Sequence, residues 1–209
     1  MKRVVLASRS PRRRELLAHL VPAESIQVLP PLDEEEAGFD ELHDWQSIIA
    51  RVAEIARDKC DDVCGQLAAA GTLFDVVIAA DTVIVGEGDG SELFVLGQPP
   101  EQEDWREVVA EWFRDFYFGR EHTALTALCV AESSDGRIER IVATQVGMVD
   151  VDDDLLDWYL HTEEPRGKAG GYAIQGAGSM FVKSVTGSLS NVIGLPLEEL
   201  RELLRDLKL

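Results

Sequence analysis

Apolar residues follow two different patterns along the chain, which predict a mixture of strands and helices. Residues 4–7 form a short apolar run and residues 74–80 a longer one, and such runs are typical of strands buried on both faces of a sheet. From residue 45 to about residue 70, apolar positions recur at helical spacing, which predicts a long amphipathic helix. Residues 25–30 are predicted to form another strand. Residues 31–44, rich in Pro, Asp and Glu, are predicted to form an exposed loop.

The second half of the chain mixes short elements of both kinds. The apolar run at 74–80 leads into Asp81 and Thr82 and continues over residues 83–85, and a glycine-containing turn follows over residues 86–90. The other predicted elements are a helix over 101–117, paired strands over 122–132 and 137–149, a helix over 152–160, a glycine-rich loop over 167–178, a strand over 179–186 and a helix over 196–207. Because strands and helices alternate irregularly, the pattern predicts an α+β (mixed α/β) fold, with a central mixed sheet flanked by helices.

Length and composition favour a soluble globular protein. The 209 residues, 45% of them hydrophobic, suffice for one domain with a substantial core, which we expect to span residues 1–209 as two lobes. No apolar run approaches the roughly 18 residues of a membrane span. Ser8 and Arg9 interrupt the apolar start too early for a signal peptide, so we expect a cytoplasmic protein without membrane contact. Three cysteines without framework spacing suit reduced thiols rather than a zinc site.

The distribution of charge narrows the class of partner. The formal net charge of −19 disfavours binding to nucleic acid polymers and to anionic membranes. Residues 1–14 are an exception, because they contain six of the 20 basic residues and no acidic residue. Two interpretations stay open at this point: a solvated basic surface, or a binding site for a small polyanion such as a triphosphate.

Three segments carry candidate chemistry. Residues 8–13 place Ser10 as an N-cap and Pro11 at the first position of a helix, where backbone N–H groups and nearby arginines attract anions. Asp81 follows an apolar strand at an expected sheet edge, where a carboxylate can bind a cation or accept a proton from water. Residues 168–178 contain closely spaced glycines but neither a dinucleotide-binding nor a P-loop pattern. Each segment also has a structural interpretation, as a helix cap, a turn residue and a glycine turn respectively.

Taken together, the segments resemble the Maf-like nucleotide pyrophosphatases over nearly the whole chain. The resemblance rests on residues 6–13, 80–83, 168–176 and 187–197, in the order that the family has them. It implies a fold related to the inosine triphosphate pyrophosphatases, with a cleft between two lobes. It also implies hydrolysis of a nucleoside triphosphate to the monophosphate and pyrophosphate, with a divalent cation, Mg²⁺ or Mn²⁺, as cofactor.

The resemblance also implies roles for individual residues. Asp81 matches the family's general base, and Glu34 matches an acidic position that would hold the metal together with Asp81. Arg12, Thr82 and Gln175 match positions of the branch that acts on dTTP and UTP. The positions that match polar residues of the phosphate-binding cleft are Ser8, Arg13 and Lys168.

The chain departs from the family pattern at three positions. Arg9 stands where the family usually has Gly, and Ala56 and Gln98 stand where the family usually has lysines. The loss of two cleft lysines motivates an alternative function, a weakly active nucleotide-binding regulatory protein linked to cell division. Arg9 or Lys59 would then be the residues that compensate in charge. A homodimer is left open by the sequence.

Overall fold

In the computed structural model, which describes residues 2–32, 38–102, 104–133 and 136–207, seven strands form one mixed sheet. They are β1 (Val4–Ala7), β2 (Ile26–Val28), β3 (Val76–Glu87), β4 (Leu93–Leu96), β5 (Glu121–Glu132), β6 (Arg137–Met148) and β7 (Val182–Thr186). The strand order is β2-β1-β3-β5-β6-β7, and β4 also pairs with β3. Strand β1 pairs in parallel with β2 and β3, whereas the other pairs are antiparallel. The predicted mixed α/β fold is confirmed.

Helices cover both faces of this sheet. They are α1 (Pro11–Leu17), α2 (Trp45–Ala69), α3 (Trp105–Trp112), α4 (Asp153–His161), α5 (Leu189–Ile193) and α6 (Leu197–Asp206). The side chain of Asp44 caps α2 by accepting from the Ser47 N–H at 3.0 Å, and Ser10 caps α1. A five-residue π-helical turn, Phe113–Tyr117, extends α3, so the predicted helix over 101–117 begins later than expected but ends where expected.

Two details of the predicted strands are wrong. Residue 86 was predicted to begin a turn, but it remains in β3 because it pairs with Phe94 of β4. Residues 179–181 were predicted to belong to a strand, but they are the last three residues of a 3-10 helix, Ala177–Phe181. The carboxylate of Glu164 accepts hydrogen bonds from the N–H groups of Ala177 and Gly178, each at 2.8 Å. These bonds cap the N-terminus of this 3-10 helix.

The two faces of the sheet carry differently organised cores. On one face, α2 packs along the length of β3 and β5, and the odd-numbered β3 residues from Val77 to Val85 point towards it, all of them apolar except Asp81. On the other face, α1 and α6 cover one end of the sheet, while α3, its π-helical turn and α4 cover the other. Between these two clusters lie the fully buried side chains of Thr126, Thr144 and Asn191. A buried polar band therefore separates two apolar cores on this face.

One edge of β3 is interrupted where the chemistry was predicted. Strand β1 pairs with β3 as far as Ala79, and β4 pairs with it only from Ile84 onwards. Within the described residues, positions 80–83 of β3 have no strand neighbour on this side. The antiparallel β4 and the parallel β1 both run towards the gap and end at it, so their carboxyl ends face each other across it. Ligands of α/β proteins bind at such strand ends.

Candidate active site

Asp81 lies inside β3 rather than at the end of a strand, which corrects the predicted position. Strand β3 continues past Asp81 because β5 pairs with it without interruption from Val76 to Val85. The carboxylate nonetheless reaches an edge of the sheet, because β1 and β4 leave the gap beside it. Asp81 itself is buried, with 6% of its surface exposed.

Lys59 of α2 is the ionic partner of Asp81. Its Nζ donates to Asp81 Oδ1 at 2.6 Å, and both side chains are largely buried. Ala56, where the family usually has a lysine, is packed in the core between α2 and the sheet. A lysine at residue 56 would therefore point into apolar packing, and Lys59, one turn further along α2, supplies a cation to Asp81.

Side chains alternate between the faces of a strand, so Asp81 and Thr82 point to opposite sides of β3. Asp81 points towards α2, whereas the Thr82 hydroxyl meets Arg13 of α1 at 3.1 Å and Thr126 of β5 at 2.9 Å. Asp81 therefore does not face the arginine-rich start of α1 directly. The gap beside residues 80–83 is the open edge of β3 between these two faces.

The Arg13 guanidinium is bound within the protein. Its Nε donates to the Gly194 carbonyl at 2.9 Å, and its Nη atoms donate to Thr82 and to Ser8 Oγ, the latter at 3.5 Å. Ser8 Oγ also accepts the Ser10 N–H at 3.1 Å. Arg13 thus ties the end of β1 to the middle of β3 and to the segment after α5, and it braces the site.

The Thr82 hydroxyl has little capacity left for a ligand. A hydroxyl has one donor and two acceptor positions. Thr82 Oγ1 lies within hydrogen-bond distance of Arg13, of Thr126 and, at 3.4 Å, of the Gly194 carbonyl. These three contacts account for its hydrogen-bonding groups, so Thr82 orients Arg13 rather than offering a hydroxyl to a base.

The segment around α5 holds the Gly194 carbonyl in place. The fully buried Asn191 side chain donates to Ala124 O, Val142 O and Thr144 Oγ1 at 3.0–3.2 Å, which pins α5 to β5 and β6. Gly194 then ends α5 with φ near 125°, a value that L residues rarely adopt. Sequence reasoning named no residue here as part of the site; the signal was the resemblance of residues 187–197 to the family.

Arg12 and Lys168 form the cationic part of the site. Burial lowers the pKa of Arg12, and the charge of Glu15 raises it by a smaller amount. Burial also lowers the pKa of Lys168, and the Arg12 charge lowers it further, whereas Glu164 opposes this. The two cations therefore lie near enough to repel each other in a partly desolvated place, which is the electrostatic condition that an anionic ligand relieves.

Buried aromatic residues hold the loop that carries Lys168. The Tyr117 hydroxyl donates to the Gly170 carbonyl at 2.7 Å, and His122 Nε2 is 2.8 Å from the Tyr172 hydroxyl. Gly170 has φ +70°, and a Cβ there would collide with Tyr117 and Ile84, so only glycine fits. Its N–H donates to the Gly97 carbonyl at 2.9 Å. The loop over 168–178 is thereby fixed beside the end of β4.

The remaining predicted residues make no described contact with Asp81 or its partner Lys59. Gln175 is exposed in the loop between the two 3-10 helices of this region, and no hydrogen bond joins it to the described site residues. Gln98 is exposed just after β4, at the gap. Arg9 is also exposed and donates to the Pro31 carbonyl at 3.1 Å, away from Asp81. Glu34, the predicted second metal ligand, lies outside the described residues.

The fold and site together define a mixed α/β protein with a buried carboxylate and a cationic loop at an interrupted strand edge. The chain belongs to the Maf-like protein family, whose profile matches residues 3–207. It is 40% identical to a dTTP/UTP pyrophosphatase of Anaeromyxobacter dehalogenans, over 97% of this chain and 93% of that one. It is 34% identical to a dTTP/UTP pyrophosphatase of Pyrococcus furiosus, over 94% and 91% respectively. A solved HAM1 protein from Coxiella burnetii is similar with TM-score 0.49 and 13% identity, over 99% of this chain and 100% of that one.

Proposed function

We propose that this protein hydrolyses dTTP and UTP to the nucleoside monophosphate and pyrophosphate. The observation that carries the proposal is a buried carboxylate at the gap beside residues 80–83, together with two partly desolvated cations, Arg12 and Lys168, that lie near enough to repel each other. This combination meets the two needs of phosphoanhydride hydrolysis, which are a base for the attacking water and positive charge for the phosphates. Its relatives in two distant organisms are named for this reaction.

In this proposal Arg12 and Lys168 bind the triphosphate. Burial has already removed part of the hydration of both side chains. Charge-assisted hydrogen bonds to phosphate oxygens would replace the missing water. Binding an anion between them also removes the repulsion that lowers the pKa of Lys168. Arg13 and Ser8 support the site indirectly, because their hydrogen bonds brace the end of β1 against β3.

Asp81 is the proposed general base. A water molecule transfers a proton to the Asp81 carboxylate as its oxygen attacks the α-phosphorus. The bond from the α-phosphorus to the oxygen bridging it to the β-phosphorus breaks, and that oxygen leaves with pyrophosphate. Lys59 binds Asp81 Oδ1 at 2.6 Å and so fixes the orientation of the second carboxylate oxygen.

The donor chemistry of the site fits a hard divalent cation. Among the described residues no cluster of three or more metal-binding side chains is present, but Mg²⁺ is usually held by one or two carboxylates together with substrate phosphates. Asp81 is such a carboxylate, and Glu34 is proposed as the second. When bound, Mg²⁺ or Mn²⁺ would neutralise charge on the phosphates.

We assign base recognition to Gln175. Its amide presents both a donor and an acceptor, which matches part of the carbonyl, N–H, carbonyl edge of uracil and thymine. Thr82, another residue associated with this branch, has its hydroxyl occupied by Arg13 and Thr126. Thr82 therefore contributes through the orientation of Arg13.

Pyrophosphate release from a panel of triphosphates tests the proposal. With Mg²⁺ or Mn²⁺ present, dTTP and UTP are expected to give higher kcat/KM than CTP, ATP and GTP, with the monophosphate as the other product. A preference for a purine would contradict the base assignment alone. Release of inorganic phosphate instead of pyrophosphate would contradict the proposed site of cleavage. No turnover of any triphosphate would contradict the reaction and favour the regulatory alternative.

A further inference from the structure

Three cysteines meet at the interface between α2 and the sheet, on the same face as Asp81. Cys60 of α2 and Cys129 of β5 are completely buried, whereas Cys64, one turn along α2, is partly exposed. Cys60 and Cys129 belong to the same buried cluster, and Cys64 packs against that cluster. The proposed hydrolysis uses none of these thiols.

Cys64 alone among the three lines a surface cavity. The cavity has a volume of about 600 Å³ and lies between α2 and the hairpin of β5 and β6. Its charged lining residues are Asp61, Glu132 and Arg137. Arg137 already forms a bidentate ion pair with Asp61, so the lining has one guanidinium and two carboxylates. A small uncharged reagent can therefore reach the Cys64 sulfur more easily than an anion of the same size.

The surroundings of Cys64 also favour its thiolate. A hydrogen bond with Cys60 lowers the pKa of Cys64 to about 7, assisted by the charge of Arg137, whereas burial and the charge of Asp61 act in the opposite direction. Hydrogen bonds with Cys129 and Cys64, together with burial, raise the pKa of Cys60. A cysteine that is partly exposed, lies beside a cation and has a lowered thiol pKa is typically reactive.

We propose that Cys64 is a modification site, oxidised to a sulfenic acid by small uncharged peroxides such as hydrogen peroxide. The thiolate sulfur attacks one peroxide oxygen and the O–O bond breaks. The other oxygen leaves as hydroxide and is protonated to water, so sulfur is oxidised and the peroxide is reduced.

The helix geometry prevents the sulfenic acid from closing a disulfide with Cys60. Residues four apart on a helix have Cβ atoms about 5–6 Å apart. A disulfide needs about 3.5–4.5 Å. The sulfenic acid on Cys64 is therefore not expected to be lost to a Cys60–Cys64 disulfide. This inference is independent of the proposed nucleotide hydrolysis.

Competitive alkylation of the folded protein tests the proposal. Iodoacetamide and iodoacetate are nearly equal in size and differ in charge, and peptide mapping shows which cysteine each one labels. At pH 7 we expect iodoacetamide to label Cys64 at least about tenfold faster than Cys60 or Cys129, because both of those side chains are completely buried. The ratio of the iodoacetate rate to the iodoacetamide rate should be lower for Cys64 than for a free cysteine.

Treatment with hydrogen peroxide followed by dimedone gives the second measurement. Dimedone should be found on Cys64 in the wild-type protein and on no cysteine of the Cys64→Ser variant, with circular dichroism checking that the variant is folded. Labelling of Cys60 or Cys129 at the rate of Cys64 would overturn the proposal. So would the absence of any reactive thiol before unfolding, or dimedone capture that survives in Cys64→Ser. Because the mapping uses the wild-type protein, it does not depend on the variant folding.

Discussion

Arg12 and Arg13 are neighbours in sequence but make different contacts. Arg13 donates to Gly194, Thr82 and Ser8, so its guanidinium is part of the scaffold. Arg12 is partly buried beside Lys168, and burial lowers its pKa, which means that its charge is not well solvated in the free protein. A residue with this environment gains most from a ligand of opposite charge.

We therefore expect Arg12→Ala to weaken triphosphate binding without destabilising the fold. A charge-assisted hydrogen bond contributes about 1.5–3 kcal/mol, which corresponds to roughly 10- to 150-fold in Kd. Arg13→Ala is the matched control: it should lower the thermal unfolding temperature, because it leaves buried partners without their donor. Calorimetric titration with a non-hydrolysable dTTP analogue, together with thermal unfolding, distinguishes the two. Equal losses of stability in both variants would contradict this division of roles.

His122 makes the stability of the protein depend on pH. It is 3% exposed, and burial lowers its pKa from 6.5 to about 3. Below pH 6.5 this histidine is protonated in the unfolded chain but stays neutral in the folded chain. Its contribution to the free energy of unfolding is therefore fully present above pH 6.5 and is lost as the pH falls towards 3. From pH 7 to pH 5 we expect this histidine to reduce the free energy of unfolding by about 2 kcal/mol.

Urea unfolding of the wild type and of His122→Gln at pH 7 and pH 5 measures this effect. Other acidic groups titrate in both proteins, so the relevant quantity is the difference between their pH dependences. The wild type should lose about 2 kcal/mol more than the variant over this interval. Identical losses would show that His122 titrates normally in the folded protein.

At the scale of elements, the gap beside β3 depends on where its neighbours end. The polar band of Thr126, Thr144 and Asn191 separates the apolar clusters on one face at the same level, and the Asp81–Lys59 pair interrupts the apolar packing on the other. The elements that border the gap are thus held in place by apolar packing on both faces of the sheet. The loop over 168–178 completes it, and Glu164 holds the far end of that loop.

Glu164 is expected to be a positioning residue for Gln175. Its carboxylate accepts the N–H groups of Ala177 and Gly178 and lies where a side chain on Gly176 would be, so it shapes the backbone just after Gln175. In Glu164→Gln, one of the two acceptor oxygens is replaced by a donor. We expect KM for dTTP to rise and the preference for dTTP over CTP to decrease, with a smaller change in kcat.

Glu163→Gln is the matched control for this prediction. Glu163 is the adjacent residue and makes an exposed ion pair with Arg106, and such pairs contribute little. Its substitution should leave both KM and base preference unchanged. The assignment would be wrong if Glu164→Gln altered thermal stability alone, or if both variants changed the base preference equally.

The sequence predicted some elements well because their signals are local. The helical spacing of Ile48, Val52 and Ile55 places α2 within one residue of its observed ends, and Ser10 caps α1 as predicted. The interior position of Asp81 and its pairing with Lys59 were not predictable in this way. They depend on where β1 and β4 stop and on which face of β3 each side chain points, both of which are set by pairing with distant strands.

At the scale of the whole molecule, the charge distribution agrees with a small anionic substrate. The whole chain has a net charge of −19, whereas the proposed site contains a small group of basic residues. In the part of the chain that the structure describes, no helix is long and apolar enough to cross a membrane. Organisation as one domain with two lobes, cytoplasmic location and a homodimer stay predictions, as does the use of a divalent metal.

We expect duplex DNA not to bind this protein at physiological salt. The long-range repulsion between a strongly acidic surface and a polyanion outweighs a patch confined to one cleft. Fluorescence anisotropy of a labelled duplex at 150 mM salt, with unlabelled dTTP as competitor, provides the measurement. Salt-sensitive binding in the micromolar range that dTTP does not displace would contradict this prediction.

The activity of Asp81→Asn tests the proposed chemistry most directly. The substitution removes the proton-accepting charge at nearly constant volume, and Asp58→Asn makes the same change on the exposed side of α2 as a control. We predict that kcat for pyrophosphate release from dTTP falls by about 10²–10⁴-fold in Asp81→Asn, that dTTP still binds, and that Asp58→Asn behaves as wild type. An Asp81→Asn protein that is folded and retains more than about half of the wild-type kcat, against the expected loss of a general base, would contradict the role of Asp81.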